Sequence, residues 1–135
     1  FIASLLHKIS EEQYKKLIDT LRIIDLENKK SLIAKQLSHG EKQWLEIGML
    51  LMQQPELLLI DEPVAGMTEK ETRSTANLLK KISNDRTVLV VEHDMDFVES
   101  LNVEIVVLHD GGVLTRGKMK EVKTNQQVID VYLGR

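Results

Sequence analysis

The chain has 135 residues, a formal net charge of −3 and no cysteine. That length supports one domain with a real core, the mixed charges do not favour a nucleic-acid surface, and the missing cysteines exclude a disulfide framework and fit a reducing compartment. The longest apolar runs, LLLI at 57–60 and Ile47–Met52, fall short of the roughly 18 residues that span a bilayer. No leader is visible, so composition alone reads as a soluble intracellular globular unit, and the opening FIASLL in place of Met reads as the start of a fragment.

Residues 1–9 carry Phe1, Ile2, Leu5, Leu6 and Ile9 on one helical face. Ser10-x-x-Gln13 caps a second helix with Tyr14, Leu17, Ile18 and Leu21 at helical spacing. A charged loop, ENKK, leads to SLIAKQL and LSHGEKQ. Ser38 stands three residues before Glu41, a further capping box, and the following WLEIGMLLM is apolar enough to be expected in a buried helix. His39 and Gly40 form helix poorly and are expected to leave that helix start open, its N–H groups and dipole suited to an anion. Gln54-Pro55 stops the helix, and LLLI reads as a fully buried strand. Thr68-x-x-Glu71 caps an amphipathic helix to about Ser83, Asn84-Asp85 turns, and TVLVVEH reads as a second buried strand parallel to the first. Asp94–Leu101 reads as a short helix. Val103–Leu108 and Val113–Arg116 flank Asp110-Gly111, a hairpin signal expected to add antiparallel strands to the sheet. A last helix over about Asn125–Leu133 follows a Thr124 cap.

Parallel strands share a direction, and ligands of open α/β sheets bind along the edge where their carboxyl ends lie. One strand ends in Asp61-Glu62-Pro63 and the other in Glu92-His93-Asp94, so these groups meet if the strands are neighbours. Two adjacent carboxylates after an apolar strand suit one that holds a hydrated Mg²⁺ and one that polarises a water. They also suit a plain solvated turn. His93 alone reads as a strand-end histidine bonded to backbone; a zinc site from Glu92, His93 and Asp94 lacks the usual spacing. The Ser38–Glu41 box explains its helix without any ligand. Gly112–Lys118 matches the first seven positions of the phosphate-cradling P-loop, but Met119 stands where Ser or Thr must reach Mg²⁺, and a hairpin is the wrong context.

LSHGEKQ, then LLLIDEP after a mostly apolar helix, then VVEHD, resembles the second half of the ATP-binding-cassette (ABC) ATPases. LSHGE is similar to the family's signature motif, usually LSGGQ; LLLIDEP resembles its Walker B strand, and His93 its switch histidine. The likeness covers the whole chain, with residues 1–36 resembling the helical subdomain. It implies an α/β fold, a partial P-loop NTPase: residues 1–53 as helical subdomain with the signature, residues 54–135 as the C-terminal part of the core, with the Walker B half of a mainly parallel sheet and a terminal hairpin and helix. The Walker A loop, the Q-loop and the adenine-stacking aromatic have no counterpart here. LSHGEKQWLEIGMLLM, DEPVAGMT, VVEHDMDFV and VYLGR look like the ATPase subunits of urea importers, within the branched-chain amino-acid group.

The resemblance implies ATP and Mg²⁺ as cofactors, Asp61 on Mg²⁺ largely through water, Glu62 as general base, and His93 at the γ-phosphate. It gives Ala65, Gly66, Met67 and Thr68 to the D-loop that couples two sites. Two such subunits sandwich ATP head to tail, so Ser38, His39, Gly40 and Glu41 would complete the site of a partner ATPase subunit. Transmembrane permease subunits are the other partners implied, with no nucleic acid, at the cytoplasmic face of the membrane. Two positions depart from the family: His39 replaces a glycine, and Glu41 a glutamine, changes expected to tune affinity. The main rival is the C-terminal lobe of a chromosome-maintenance or DNA-repair ATPase, whose signature also ends in Glu; the short, interrupted helices of residues 1–36 do not continue into its heptad repeats. A non-catalytic interaction module is the third reading, against which Asp61, Glu62 and His93 stand intact.

Overall fold

A computed structural model describes residues 9–132. The chain divides into two compact units between Val91 and Glu92, each taken by itself below. The expected helix over residues 1–9 lies outside the described residues apart from Ile9, which precedes the first helix.

In the first unit α1 spans Glu11–Ile23. It begins as the sequence dictates: the Ser10 hydroxyl accepts the Gln13 N–H, and the Gln13 side chain accepts the Ser10 N–H. Short 3₁₀ turns at Glu27–Lys29 and Ala34–Gln36 fill the connection to α2, His39–Leu51, whose N-cap is Ser38. Gln54 takes a left-handed backbone, φ 53°, and with Pro55 ends the helical path. Then come β1 (Leu57–Asp61), α3 (Glu69–Ile82, capped by Thr68) and β2 (Thr87–Val91). β1 and β2 pair in parallel, in register from Leu57 opposite Thr87 to Asp61 opposite Val91. Helix α1 packs on α2 and α3. The buried side chains of this unit include Ile24, Leu26, Ile47, Leu51, Leu58, Leu79 and Ile82, each contributing on the order of 1.5–3 kcal/mol by leaving water.

Burial is less complete than the sequence leads one to expect in α2, β1 and β2, and no residue of β2 is fully buried. Helix α2 is one-sided: Ile47, Gly48 and Leu51 are buried while Met49 and Leu50 are exposed, because apolar residues on consecutive positions cannot all face one neighbour at 3.6 residues per turn. Strand β1 likewise alternates, Leu58 and Ile60 buried, Leu57 and Leu59 exposed. Full burial of a parallel strand needs a layer on each face, and in this structure one face is covered.

In the second unit α4 (Met95–Leu101) starts at Asp94, whose carboxylate accepts the N–H groups of Asp96 and Phe97 at 3.1 and 2.9 Å. Strands β3 (Ile105–His109) and β4 (Gly112–Gly117) form an antiparallel hairpin. Its turn residues, Asp110 and Gly111, have φ 47° and 76°, the paired positive values that a two-residue hairpin loop requires. The hairpin is a two-stranded sheet of its own, where the sequence leads one to expect strands added to the β1–β2 sheet. Gly112–Gly117 are extended and paired with β3, so although a helix starts just behind them at Met119 they form a strand and not a loop that could cradle a phosphate. The expected last helix is two short ones, α5 (Met119–Thr124) and α6 (Gln126–Tyr132). The cap of α6 is Asn125 rather than Thr124: its side-chain oxygen accepts the Gln127 N–H at 2.9 Å, while the Thr124 hydroxyl turns back to the carbonyls of Lys120 and Glu121.

Candidate functional site

β1 delivers Asp61 to the carboxyl end of the parallel pair, opposite Val91. The next residue, Glu62, donates its N–H to the Val91 carbonyl at 2.9 Å and holds φ at 46°. For a residue other than glycine, asparagine or aspartate this left-handed backbone is uncommon and costs on the order of 1–2 kcal/mol. It breaks the strand sharply and sends the chain through buried Pro63 and Val64 into the loop Ala65–Thr68. Two turn bonds shape that loop, Ala65 N–H to Glu62 carbonyl at 3.2 Å and Met67 N–H to Val64 carbonyl at 3.1 Å, with Gly66 at φ +70°.

The start of α2 faces this loop. The Ser38 hydroxyl accepts the Glu41 N–H at 3.2 Å and the Glu41 carboxylate accepts the Ser38 N–H at 3.0 Å, completing the capping box; Lys29 pairs with the other Glu41 oxygen. His39 lies within hydrogen-bonding distance of Ala65: its Nε2 donates to that carbonyl at 3.0 Å, and so carries the proton, since a carbonyl only accepts. The departure from glycine at position 39 thus supplies a tether from the helix start to the loop.

The sequence leads one to expect an open helix start, but in the structure it is occupied. Glu71, in the first turn of α3, sets Oε1 against the Ser38 hydroxyl at 3.0 Å and Oε2 against the Thr68 N–H and hydroxyl at 3.0 and 2.9 Å. A Cβ on buried Gly40 would stand 2.8 Å from Oε1, so this carboxylate fills the place a side chain at position 40 would need. The bonds from Thr68, then that from Ser38, and the Gly40 N–H hold the Glu71 carboxyl below the usual carboxylate range. Glu41 is held low as well, by Lys29 first and then by the Ser38 N–H. Behind them Trp44 Nε1 donates to the Thr75 hydroxyl at 2.8 Å, and that hydroxyl donates to the Glu71 carbonyl at 2.9 Å, pinning α2 to α3. A cleft of about 410 Å³ is lined by Ser38, Glu41, Trp44, Thr68, Glu71 and Ser74, among others.

The structure therefore joins Ser38, His39, Gly40 and Glu41 with Ala65, Gly66 and Thr68 in one cluster. Glu71 was seen in the sequence only as the local partner of Thr68; Trp44 and Thr75 carried no signal at all. His93 belongs to the second unit. There the Glu92 carboxylate, with 2 % of its side chain exposed, accepts the N–H groups of His93 and Asp94 at 2.9 and 3.1 Å and lies 3.9 Å from His93 Nδ1. Among the described residues no three His, Asp or Glu side chains converge as a metal cage. Asp61 offers one exposed carboxylate at a strand end, which fits Mg²⁺ that takes its remaining ligands from phosphates and water.

The family model described as ABC transporter matches residues 3–65. The chain is 38 % identical over 103 residues to the high-affinity branched-chain amino acid transport ATP-binding protein LivG of Salmonella typhimurium, covering 75 % of this chain and 40 % of LivG. It is 36 % identical over 118 residues to the methionine import ATP-binding protein MetN 2 of Acinetobacter baylyi, covering 86 % of this chain and 35 % of that protein. The solved ADP conformation of MJ1267, an ATP-binding cassette of an ABC transporter, superposes with a TM-score of 0.83 at 27 % identity, covering 99 % of this chain and 56 % of that one. The fold is the ABC type of the P-loop NTPases. The chain belongs to the ABC transporter ATPase family, and it spans about 40 % of the length of LivG. No helix among the described residues is long and apolar enough to cross a membrane.

Proposed function

We propose that this chain is the signature and Walker B portion of an ATP-hydrolysing subunit of an ABC importer, with the phosphate-gripping loop elsewhere in a longer subunit. The observation that carries this reading is the joint between two loops: the start of α2 is tied to Ala65–Thr68 by His39 and Glu71, and that loop continues from Asp61-Glu62. A helix start whose donors already face a carboxylate, held to the loop that follows an acidic strand end, suits a surface that senses a phosphate presented by another subunit.

In this reading Glu62 accepts the proton of the attacking water, Asp61 holds Mg²⁺ largely through water, and His93 contacts the γ-phosphate. Ser38, His39, Gly40 and Glu41 complete the partner ATPase subunit's site, and Ala65, Gly66, Met67 and Thr68 couple the two sites. ATP with Mg²⁺ supplies the transferable phosphoryl group. Residues 1–53 act as the helical subdomain and 54–135 as the core portion. The subunit docks on transmembrane permeases at the cytoplasmic face of the membrane. The names of LivG and MetN 2 support amino-acid import; the motif strings add urea as a solute of the same group.

The test is Glu62→Gln in the longer subunit. The amide keeps the shape but accepts no proton, so ATP binding should persist while hydrolysis slows by about 10²-fold or more. Hydrolysis at the parent rate would remove Glu62 from the chemistry.

A further inference from the structure

Ser38 and Gly40 are the two residues of the α2 start best suited to a phosphate, one through its hydroxyl and one through its backbone N–H. Both already face an anion of their own chain. The Ser38 hydroxyl donates to Glu71 Oε1 at 3.0 Å, and the Gly40 backbone lies beside the same oxygen. The fit depends on glycine, because a Cβ at position 40 would lie 2.8 Å from that oxygen. Glu71 has a second allegiance: its other oxygen takes the N–H and hydroxyl of Thr68. A carboxylate so placed occupies the anion position of the helix start and ties it to the following loop.

We propose that Glu71 is a positioning residue that competes with the incoming phosphate: its carboxylate holds Ser38 and fills the space beside Gly40 until a nucleotide-bearing partner arrives, then gives up that place while keeping Thr68. This rests on the reading that the α2 start acts on a partner's nucleotide. Two anions cannot share the same donors without repulsion, so part of the phosphate's affinity is spent on displacing Glu71. The release is local, because Oε2 and Thr68 can stay as they are while Oε1 turns away. Glutamine separates the two allegiances. A capping box accepts Gln as readily as Glu, so Thr68 keeps its partner, whereas the amide NH₂ turned toward Ser38 and Gly40 carries no negative charge and leaves the anion position of the helix start free of a competing carboxylate.

The experiment uses the longer subunit carrying Glu62→Gln, so that bound ATP persists, and measures by sedimentation the ATP concentration that gives half-maximal dimerisation. Adding Glu71→Gln should lower that concentration about fivefold or more, the scale of one close charge–charge repulsion screened as fully as in water. Binding of a fluorescent ATP analogue to the monomer should not change. A half-maximal concentration that is unchanged or raised overturns the proposal. If Glu71→Gln melts the fold, Glu71→Asp takes its place. Its shorter arm cannot span Thr68 and Ser38 together, so it should also lower the concentration, by less, and no change again overturns the idea. Ser38→Arg in the same background separates the role of the α2 start from that of Glu71. If it dimerises like the parent, the reading of the α2 start fails and this proposal with it; if it blocks dimerisation while Glu71→Gln does nothing, only the role of Glu71 fails.

Discussion

The Glu71 carboxylate accepts the Ser38 hydroxyl at 3.0 Å, so the first turn of α3 completes the N-terminus of α2. Each residue also belongs to a local capping box, Ser38 with Glu41 and Glu71 with Thr68. One hydrogen bond thus fuses two independent helix starts.

Ser38→Ala should cost more stability than Ser10→Ala. Both remove an N-cap, worth about 1 kcal/mol, but only Ser38 also donates to a second helix. Urea unfolding of the chain should give a lower midpoint for Ser38→Ala with an unchanged slope. Equal midpoints for the two variants would show that the Glu71 bond adds nothing to stability.

Acid should weaken the first unit. The carboxyls of Glu71, Glu41 and Glu27 are all held below their ordinary range, by Thr68, Lys29 and Arg22 respectively as the leading causes. A depressed folded pKa means that the stabilisation is fully present above the unfolded pKa and is lost as the pH falls through the folded one. Urea midpoints should therefore be flat near neutrality and fall on acidification below the ordinary carboxylate range. Glu41→Gln and Glu71→Gln should each shallow that acid limb; an acid limb of parental steepness in both would exclude these two groups as its source.

Thr75→Val keeps the shape of a fully buried side chain and removes the hydroxyl that receives the Trp44 indole and bonds the Glu71 carbonyl. Leaving the indole N–H without that partner should cost about 1–3 kcal/mol. The chain has one tryptophan, so its fluorescence reports the same site directly. A variant as stable as the parent, with unshifted emission, would show that the bond holds nothing in place.

Gly48→Ala sets two effects of opposite sign against each other. Alanine in a helix interior gains about 1 kcal/mol over glycine. A Cβ there, however, would sit 2.6 Å from Ile24 Cδ1, and Ile24 is 1 % exposed. Overpacking a site that cannot yield costs about 1–3 kcal/mol, so the net change should be destabilising. A raised melting temperature would show that α1 and α2 can separate by a few tenths of an ångström without loss.

What could be read from the sequence was short in range. Ser10, Ser38 and Thr68 each announced a helix through a partner three residues on, and Asp110-Gly111 announced its hairpin, because those geometries are closed within a few residues. The contact of Glu71 with Ser38 spans 33 residues, and no local pattern encodes it. The exposed faces of Leu57 and Leu59 escaped notice for a related reason: an apolar run does not say how many of its faces find a neighbour. Thr124 and Asn125 are both competent caps, and only the backbone path selects Asn125. His39 read as a lost glycine; its bond to Ala65 became visible once the loop was placed in space.

In the proposed function the start of α2 acts on nucleotide held by another subunit. This role is tested most directly by Ser38→Arg in the longer subunit with Glu62→Gln, following dimerisation against ATP concentration by sedimentation. A bulky cation at this helix start opposes the dipole and obstructs the approaching phosphate. The monomer should still bind ATP and the ATP-driven dimer should be lost. Dimerisation at the parent's ATP concentration would contradict the claim.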